Sequence, residues 1–204
     1  MKRLNFESED IIQALSSDYV IALPTETVFG FGIRWDSLKA YQNLIDLKRR
    51  PFSKPIAVMC SDKFDLDQYF DIDEGTRRLI KRFLPGPLTI LVKAKDNCPY
   101  QTHLNTFVAG IRIPGDDRLL ALLRKLPFPL QVTSANLSSH PPILDAIEIE
   151  KEFKNEEKLY GTIFAECGKS LPTTVCSTNG GKISIIREGT VTKELIEEVY
   201  YGRK

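Results

Sequence analysis

Short apolar runs alternate with amphipathic helical segments along the whole of this 204-residue chain, and that interleaving restricts it to a sheet with helices packed against it. Ser8 precedes Glu9 and Asp10 and then Ile11, Ile12 and Leu15, the order of N-cap, acidic first turn and apolar face. Residues 19–23 read as a buried strand that stops at Pro24. A second helix begins at Asp36 or Ser37, sets Leu38, Tyr41, Leu44 and Ile45 on one face, and ends before Pro51. Residues 56–59 form a short apolar strand. Further helices are predicted at about 73–83, 116–124 and 145–153, and strands at 88–92, 108–113, 130–133 and 163–166. Asn179-Gly180-Gly181 separates Thr174-Val175-Cys176 from Ile183-Ser184-Ile185-Ile186, a hairpin signal that puts antiparallel pairing into an otherwise α/β order. A last helix starts at Thr192. The expected fold is therefore α/β with a mixed sheet, in one domain over residues 1–204, since no repeat or long linker interrupts the pattern.

Composition excludes several functions. Hydrophobic residues at 42% and charged ones at 27% suit one domain with its own core. With 28 Lys and Arg against 27 Asp and Glu, a formal net charge of +1 gives no global field for a nucleic-acid backbone, so any bound anion must be held by a local cluster. Cys60, Cys98, Cys167 and Cys176 are scattered without paired spacing and read as reduced thiols. His103 and His140 are near neither each other nor a cysteine pair, which argues against a zinc site and a Ser-His-Asp apparatus. The first ten residues turn acidic where a secretory leader needs an apolar stretch, and no apolar run reaches membrane-spanning length, so the expected location is cytoplasmic with no membrane contact.

Five places carry residues that stability alone does not require. Pro24-Thr25-Glu26-Thr27-Val28-Phe29-Gly30-Phe31-Gly32 sets two hydroxyls and a carboxylate at a strand end, followed by two glycines; this is either a ligand approach or a turn with capping threonines. Lys48, in Lys48-Arg49-Arg50-Pro51, continues the inward spacing of its helix and needs an anionic partner, either a phosphate or an internal carboxylate, with Arg50 and Lys54 just beyond. Arg112 falls on the sheet face of Gly110, where a bare glycine leaves space for a substrate carboxylate or phosphate; the competing account is an edge-strand salt bridge. Residues 130–133 open into Ser134-Ala135-Asn136-Leu137-Ser138, which is either an anion or nucleoside site or an ordinary turn. Arg187 ends the strand from Ile183 and adds a charge if the topology brings it to the same sheet end.

Taken in order, Pro24–Gly30, Leu47–Pro51, Pro85-Gly86-Pro87-Leu88-Thr89, Gly110–Pro114 and Thr133–Ser138 resemble the motif series of the YrdC-like threonylcarbamoyl-adenylate synthase family, over about residues 11–189. The resemblance implies a twisted, open mixed α/β sheet flanked by helices, with a positively charged concave face, in the short form that is the catalytic domain alone. It implies that Lys48 and Arg50 are catalytic and that Lys48, Arg50, Ser134, Asn136 and Arg187 bind ATP. Thr25, Thr27, Arg112 and Thr173 correspond to the threonine end, and no residue is implied as a resident metal ligand. The chain departs from the family pattern at Met59 in place of a histidine, at Ser139 in place of a glycine, and in Thr173-Thr174-Val175-Cys176-Ser177, which lacks the usual acidic residue.

The activity so implied joins L-threonine, bicarbonate and ATP, with Mg2+, into threonylcarbamoyl-AMP and pyrophosphate, for use by tRNA threonylcarbamoyl-transfer proteins and with at most weak tRNA contact. The alternative from another class is a non-catalytic RNA-binding domain using the same basic concavity, marked by strongly salt-dependent tRNA binding and no threonine-dependent ATP consumption.

Overall fold

The computed structural model describes residues 1–51, 56–99, 107–168 and 171–203. Eleven strands form one open mixed sheet: β1 (Lys2–Leu4), β2 (Val20–Pro24), β3 (Phe29–Arg34), β4 (Ala57–Met59), β5 (Phe70–Asp71), β6 (Leu88–Ala94), β7 (Val108–Arg112), β8 (Leu130–Ser134), β9 (Leu159–Ile163), β10 (Thr174–Ser177) and β11 (Ser184–Arg187). Their spatial order is β1-β9-β2-β3-β8-β4-β7-β6-β10-β11, with β5 added beside β6. Parallel pairs (β1 with β9, β9 with β2, β4 with β7, β6 with β10) are interspersed with antiparallel ones. The helices are α1 (Asp10–Ser16), α2 (Leu38–Lys48), α3 (Glu74–Phe83), α4 (Asp117–Lys125), α5 (Ala146–Glu152) and α6 (Lys193–Tyr201).

Strand alternation sorts the core into two faces. On one face, Phe29, Phe31 and Ile33 of β3 pack with Tyr41 and Leu44 of α2 and Ile149 of α5. Further along the same face Val58, Ile90 and Ile111 pack with Leu79 of α3 and Ile196 of α6. On the opposite face Leu23, Met59, Leu130 and Val132 meet Ile11 and Leu15 of α1 and Leu119 and Leu123 of α4. That last cluster covers only the half of its face toward β1. Over β7, β6 and β10 no described helix lies on it, and Arg112, Thr89 and Val175 project there by alternation.

Most helix starts follow the sequence. The side chains of Ser37, Asp73, Asp116, Asp145 and Thr192 each accept from a backbone N–H in the first turn. Ser8 does not cap: its hydroxyl accepts from Asn5 N at 2.9 Å, one turn earlier, and Glu9 occupies the position before α1 with no side-chain cap. Leu38, expected on the inner face of α2, is 54% exposed, because as the first residue of the helix it projects past the edge of the sheet contact made by Tyr41 and Leu44.

The strand sought at 163–166 is instead β9 at Leu159–Ile163, a central strand paired on both sides. Phe29-Gly30-Phe31-Gly32 is a strand rather than a turn, and its glycines serve packing: a Cβ on Gly30 would lie 2.7 Å from Val132 Cγ1, and one on Gly32 2.9 Å from Leu23 Cδ2. The hairpin at Asn179-Gly180-Gly181 forms as expected, both glycines at positive φ.

Candidate functional site

The uncovered half-face holds a cleft of about 380 Å3, within the size range of small-molecule sites. Its walls come from chain segments far apart in sequence: Thr27 after β2, Arg50 after α2, Arg112 at the end of β7, Ser134 at the end of β8, and Thr173 and Arg187 beside the β10–β11 hairpin. Six of the nine site residues expected from sequence therefore meet in one place. Thr89, Val175, Ala57 and Pro142 line it as well and were not singled out. The alternation in 88–92 carries the signal for Thr89, since it puts that residue on the face opposite Leu88 and Ile90.

Arg112 sits on a central strand, between β4 and β6, not on an edge. It pairs with Glu26 at 2.9 Å and donates to Thr27 Oγ1 at 3.2 Å, both from Nη2, while its buried Nε has no partner. The space expected over Gly110 is filled: a Cβ there would meet Leu91 Cδ2 at 3.2 Å and Thr89 Cγ2 at 3.3 Å. Glu26, held between the two threonines, is a carboxylate paired with the cleft arginine Arg112.

Thr25 is buried behind the cleft wall. Its hydroxyl donates to Val28 O at 2.7 Å and accepts from Thr27 N and Val28 N, so it fixes the turn that presents Thr27, whose hydroxyl lies 2.9 Å from its own. Thr173 Oγ1 is 3.0 Å from Thr89 Oγ1 and accepts from Arg187 Nη2 at 3.3 Å. Arg187 also donates from Nη2 to Thr173 O at 2.9 Å. Burial, and then the neighbouring Arg112, lower the Arg187 pKa, the mark of two guanidinium groups sharing a confined space.

Lys48 points inward as its spacing predicts and is 1% exposed. Its protein partners are two backbone carbonyls and an amide oxygen rather than a carboxylate. The ammonium donates to Ser134 O, to Asn136 O at 2.7 Å and to Asn136 Oδ1 at 3.3 Å, and lies 5.7 Å over the Phe31 ring. Burial, and secondarily Arg50, pull its pKa down to about 7. Asn136, 7% exposed, accepts from Ser134 Oγ at 2.5 Å and donates to Leu137 O and His140 O at 2.8 and 2.6 Å. Lys48, Arg50, Ser134 and Asn136 thus form one centre, in which Arg50 and Ser134 reach the cleft. Lys54 and His103 lie outside the described residues.

Met59, where the resemblance leads one to look for a histidine, is packed among Leu119, Leu130 and Val132. Ser139, in place of the usual glycine, adopts φ 70°. Cys60, Cys98, Cys167 and Cys176 are buried and form no disulfide. Among the described residues no group of three His, Cys, Asp or Glu could hold a metal ion, and no helix is long and apolar enough to cross a membrane.

Comparison with known proteins agrees with this fold. A family model described as "Telomere recombination", covering Sua5, YciO and YrdC, matches residues 13–189. A Methanocaldococcus jannaschii protein provisionally named threonylcarbamoyl-AMP synthase is 31% identical over 191 residues, 93% of this chain and 87% of that protein. The threonylcarbamoyl-AMP synthase of Yersinia pestis is 33% identical over 152 residues, 73% of this chain and 80% of its own. The crystal structure of P. abyssi Sua5 complexed with L-threonine superimposes with a TM-score of 0.83 at 25% identity; the match covers 97% of this chain and 58% of that one.

Proposed function

Because the chain belongs to the Sua5/YciO/YrdC family, we propose that it is an L-threonylcarbamoyladenylate synthase, a nucleotidyltransferase that makes threonylcarbamoyl-AMP and pyrophosphate from L-threonine, bicarbonate and ATP. The observation that carries this reading is the convergence of Arg50, Arg112 and Arg187 on a single cleft, beside the hydroxyls of Thr27, Ser134 and Thr173. Two anions, a triphosphate and an amino-acid carboxylate, must be held side by side for this reaction, and the cleft offers three guanidinium groups.

The amine of threonine captures CO2 derived from bicarbonate, and a carbamate oxygen attacks the α-phosphate of ATP in line, expelling pyrophosphate. No covalent enzyme intermediate is needed, so catalysis is positioning plus stabilisation of charge on the α-phosphate. Arg50 is the cation placed for that task, with Lys48 behind it. Ser134 and Arg187 complete the ATP half, backed by Asn136. Thr27, Arg112 and Thr173 receive threonine, with Thr25 holding the Thr27 turn. Mg2+ enters with the triphosphate, as part of the substrate. The product passes to tRNA threonylcarbamoyl-transfer proteins, and contact with tRNA itself is weak. Four buried cysteines outside any disulfide suit the reducing cytoplasm, where we place the reaction.

The test is pyrophosphate release with ATP and Mg2+, leaving out threonine or bicarbonate in turn. Release must stop in both omissions. ATP consumption indifferent to threonine would overturn the assignment, and strongly salt-dependent tRNA binding without turnover would favour an RNA-binding module.

A further inference from the structure

The four residues at the ATP half of the cleft divide into two that reach it and two that do not. We infer that Lys48 and Asn136 are positioning residues, which lock the loop 134–140 onto the end of α2 so that Ser134 and Arg50 are the members of this centre that meet the ligand. This rests on the ATP-dependent reading of the cleft.

The division follows from counting donors. An ammonium has three N–H groups, and Lys48 spends all three on Ser134 O, Asn136 O and Asn136 Oδ1. The Asn136 amide directs its Nδ2 to Leu137 O and His140 O, while its Oδ1 accepts from Lys48 and from Ser134 Oγ. The loop answers through its backbone, with Ser138 N donating to Lys48 O at 2.9 Å. Neither side chain has a donor left for a phosphate. Moving Lys48 to one would take the ammonium away from the Asn136 carbonyl and leave Ser134 O with Asn136 N alone, at 3.1 Å, as its donor.

The end of α2 explains why two basic residues two positions apart part company. Arg49 takes the left-handed conformation, and Arg50 N returns to Ile45 O at 3.0 Å, closing the helix. Lys48 is still on the buried face of the last turn, whereas Arg50 has left the helix and enters the cleft.

Two measurements test this together. The first is backbone hydrogen exchange of the ligand-free protein in wild type, Lys48→Met, Asn136→Ala and Arg50→Gln. Lys48→Met and Asn136→Ala should each speed exchange across 134–140 by about tenfold or more, and by clearly more than Arg50→Gln does. The second is kcat/KM for threonine-dependent pyrophosphate release. Ser134→Ala should lower it, and adding Ser134→Ala to Lys48→Met should lower it no further, because the first change has already misplaced that hydroxyl. Adding Arg50→Gln to Lys48→Met should multiply the two losses.

Wild-type exchange across 134–140 in Lys48→Met, accompanied by a lowered kcat/KM, would make Lys48 a direct ligand group and overturn the proposal. Multiplying losses for Lys48→Met and Ser134→Ala would do the same. If Lys48→Met fails to fold, Asn136→Ala takes its place in both measurements. A wild-type protein without threonine-dependent turnover would defeat the assigned reaction alone, since the exchange comparison needs no substrate.

Discussion

Lys48 has no carboxylate partner among the described residues, so its charge is held at the expense of folding free energy. Burial brings its pKa from 10.5 down to about 7, and between those values the unfolded chain binds the proton that the folded one does not. Stability therefore rises as pH increases from about 7. Cys60 and Cys176 act in the opposite sense. Burial pushes both thiols up to about 12, so unfolded thiols ionise from about 9 while the folded ones stay protonated, and stability falls as pH passes 9. Urea midpoints measured from pH 6.5 to 10 should climb, peak near pH 9 and fall; Lys48→Met should abolish the climb and leave the fall. A wild-type profile flat between 7 and 9 would mean that Lys48 is not so desolvated.

Two other residues hold a backbone conformation that their side chains resist. Arg49 at φ 51° ends α2, and Ser139 at φ 70° closes the loop that Asn136 pins. Both sit where glycine is the favoured residue, and Ser139 is where the family resemblance already marked a missing one. Glycine at either position should raise stability by roughly 0.5–1 kcal/mol, the relief of left-handed strain less the entropy glycine adds to the unfolded chain. Denaturation midpoints at unchanged slope measure it, and a loss of stability at both sites would show the strain to be absent.

At the scale of elements, the turn between β2 and β3 is braced from far along the chain. Gly168 N donates to Thr25 O at 2.9 Å, and a Cβ on Gly168 would fall 1.9 Å from Glu26 O. Since the obstacle is backbone, Gly168→Ala must displace the whole Thr25–Thr27 turn, with the Glu26–Arg112 pair that hangs from it. We expect a stability loss of about 2 kcal/mol or more, with the KM for threonine raised further than that for ATP. A variant as stable as wild type with unchanged KM would separate this brace from the site. Nothing in the sequence around Gly168 announces that contact, because it joins positions more than 140 residues apart. The same limit hid other elements. β1 is masked by outward-facing Lys2 and Arg3, whose partners Asp10 and Glu150 lie on helices. β3 is masked by glycines that only the packing of Leu23 and Val132 explains. Helix starts were legible because a cap acts within four residues, and the inward aim of Lys48 was legible because helical spacing is local. Its partner, 86 and 88 residues away, was not.

For the molecule as a whole, what matters is that the described helices cover both faces of the sheet except over β7, β6 and β10 on one side, and that the cleft walls there come from segments far apart in the chain. Thr27, Arg50, Arg112, Ser134, Thr173 and Arg187 are carried by those segments, so a ligand touching several of them adds ties between parts of the fold to those the sheet and a few side-chain bonds already make. Binding to the folded state only adds RT ln(1 + [L]/Kd), about 2.7 kcal/mol at a hundred times Kd. ATP with Mg2+ at that excess should therefore raise the unfolding midpoint measurably in wild type. Arg50→Gln removes a cation from the cleft, and its own ligand-free midpoint is the baseline for its ATP-induced shift. At the same ATP concentration it should lose most of the added stability, and turnover should fall roughly a hundredfold to a thousandfold, as for loss of a preorganised group facing transition-state charge. Adding threonine together with ATP should stabilise wild type beyond ATP alone, because Arg112 at the end of β7 and Thr27 in the β2–β3 turn belong to the threonine half of the cleft. Equal ATP-induced shifts in wild type and Arg50→Gln would place the triphosphate elsewhere on the protein, and would remove the reason for assigning this cleft to the reaction.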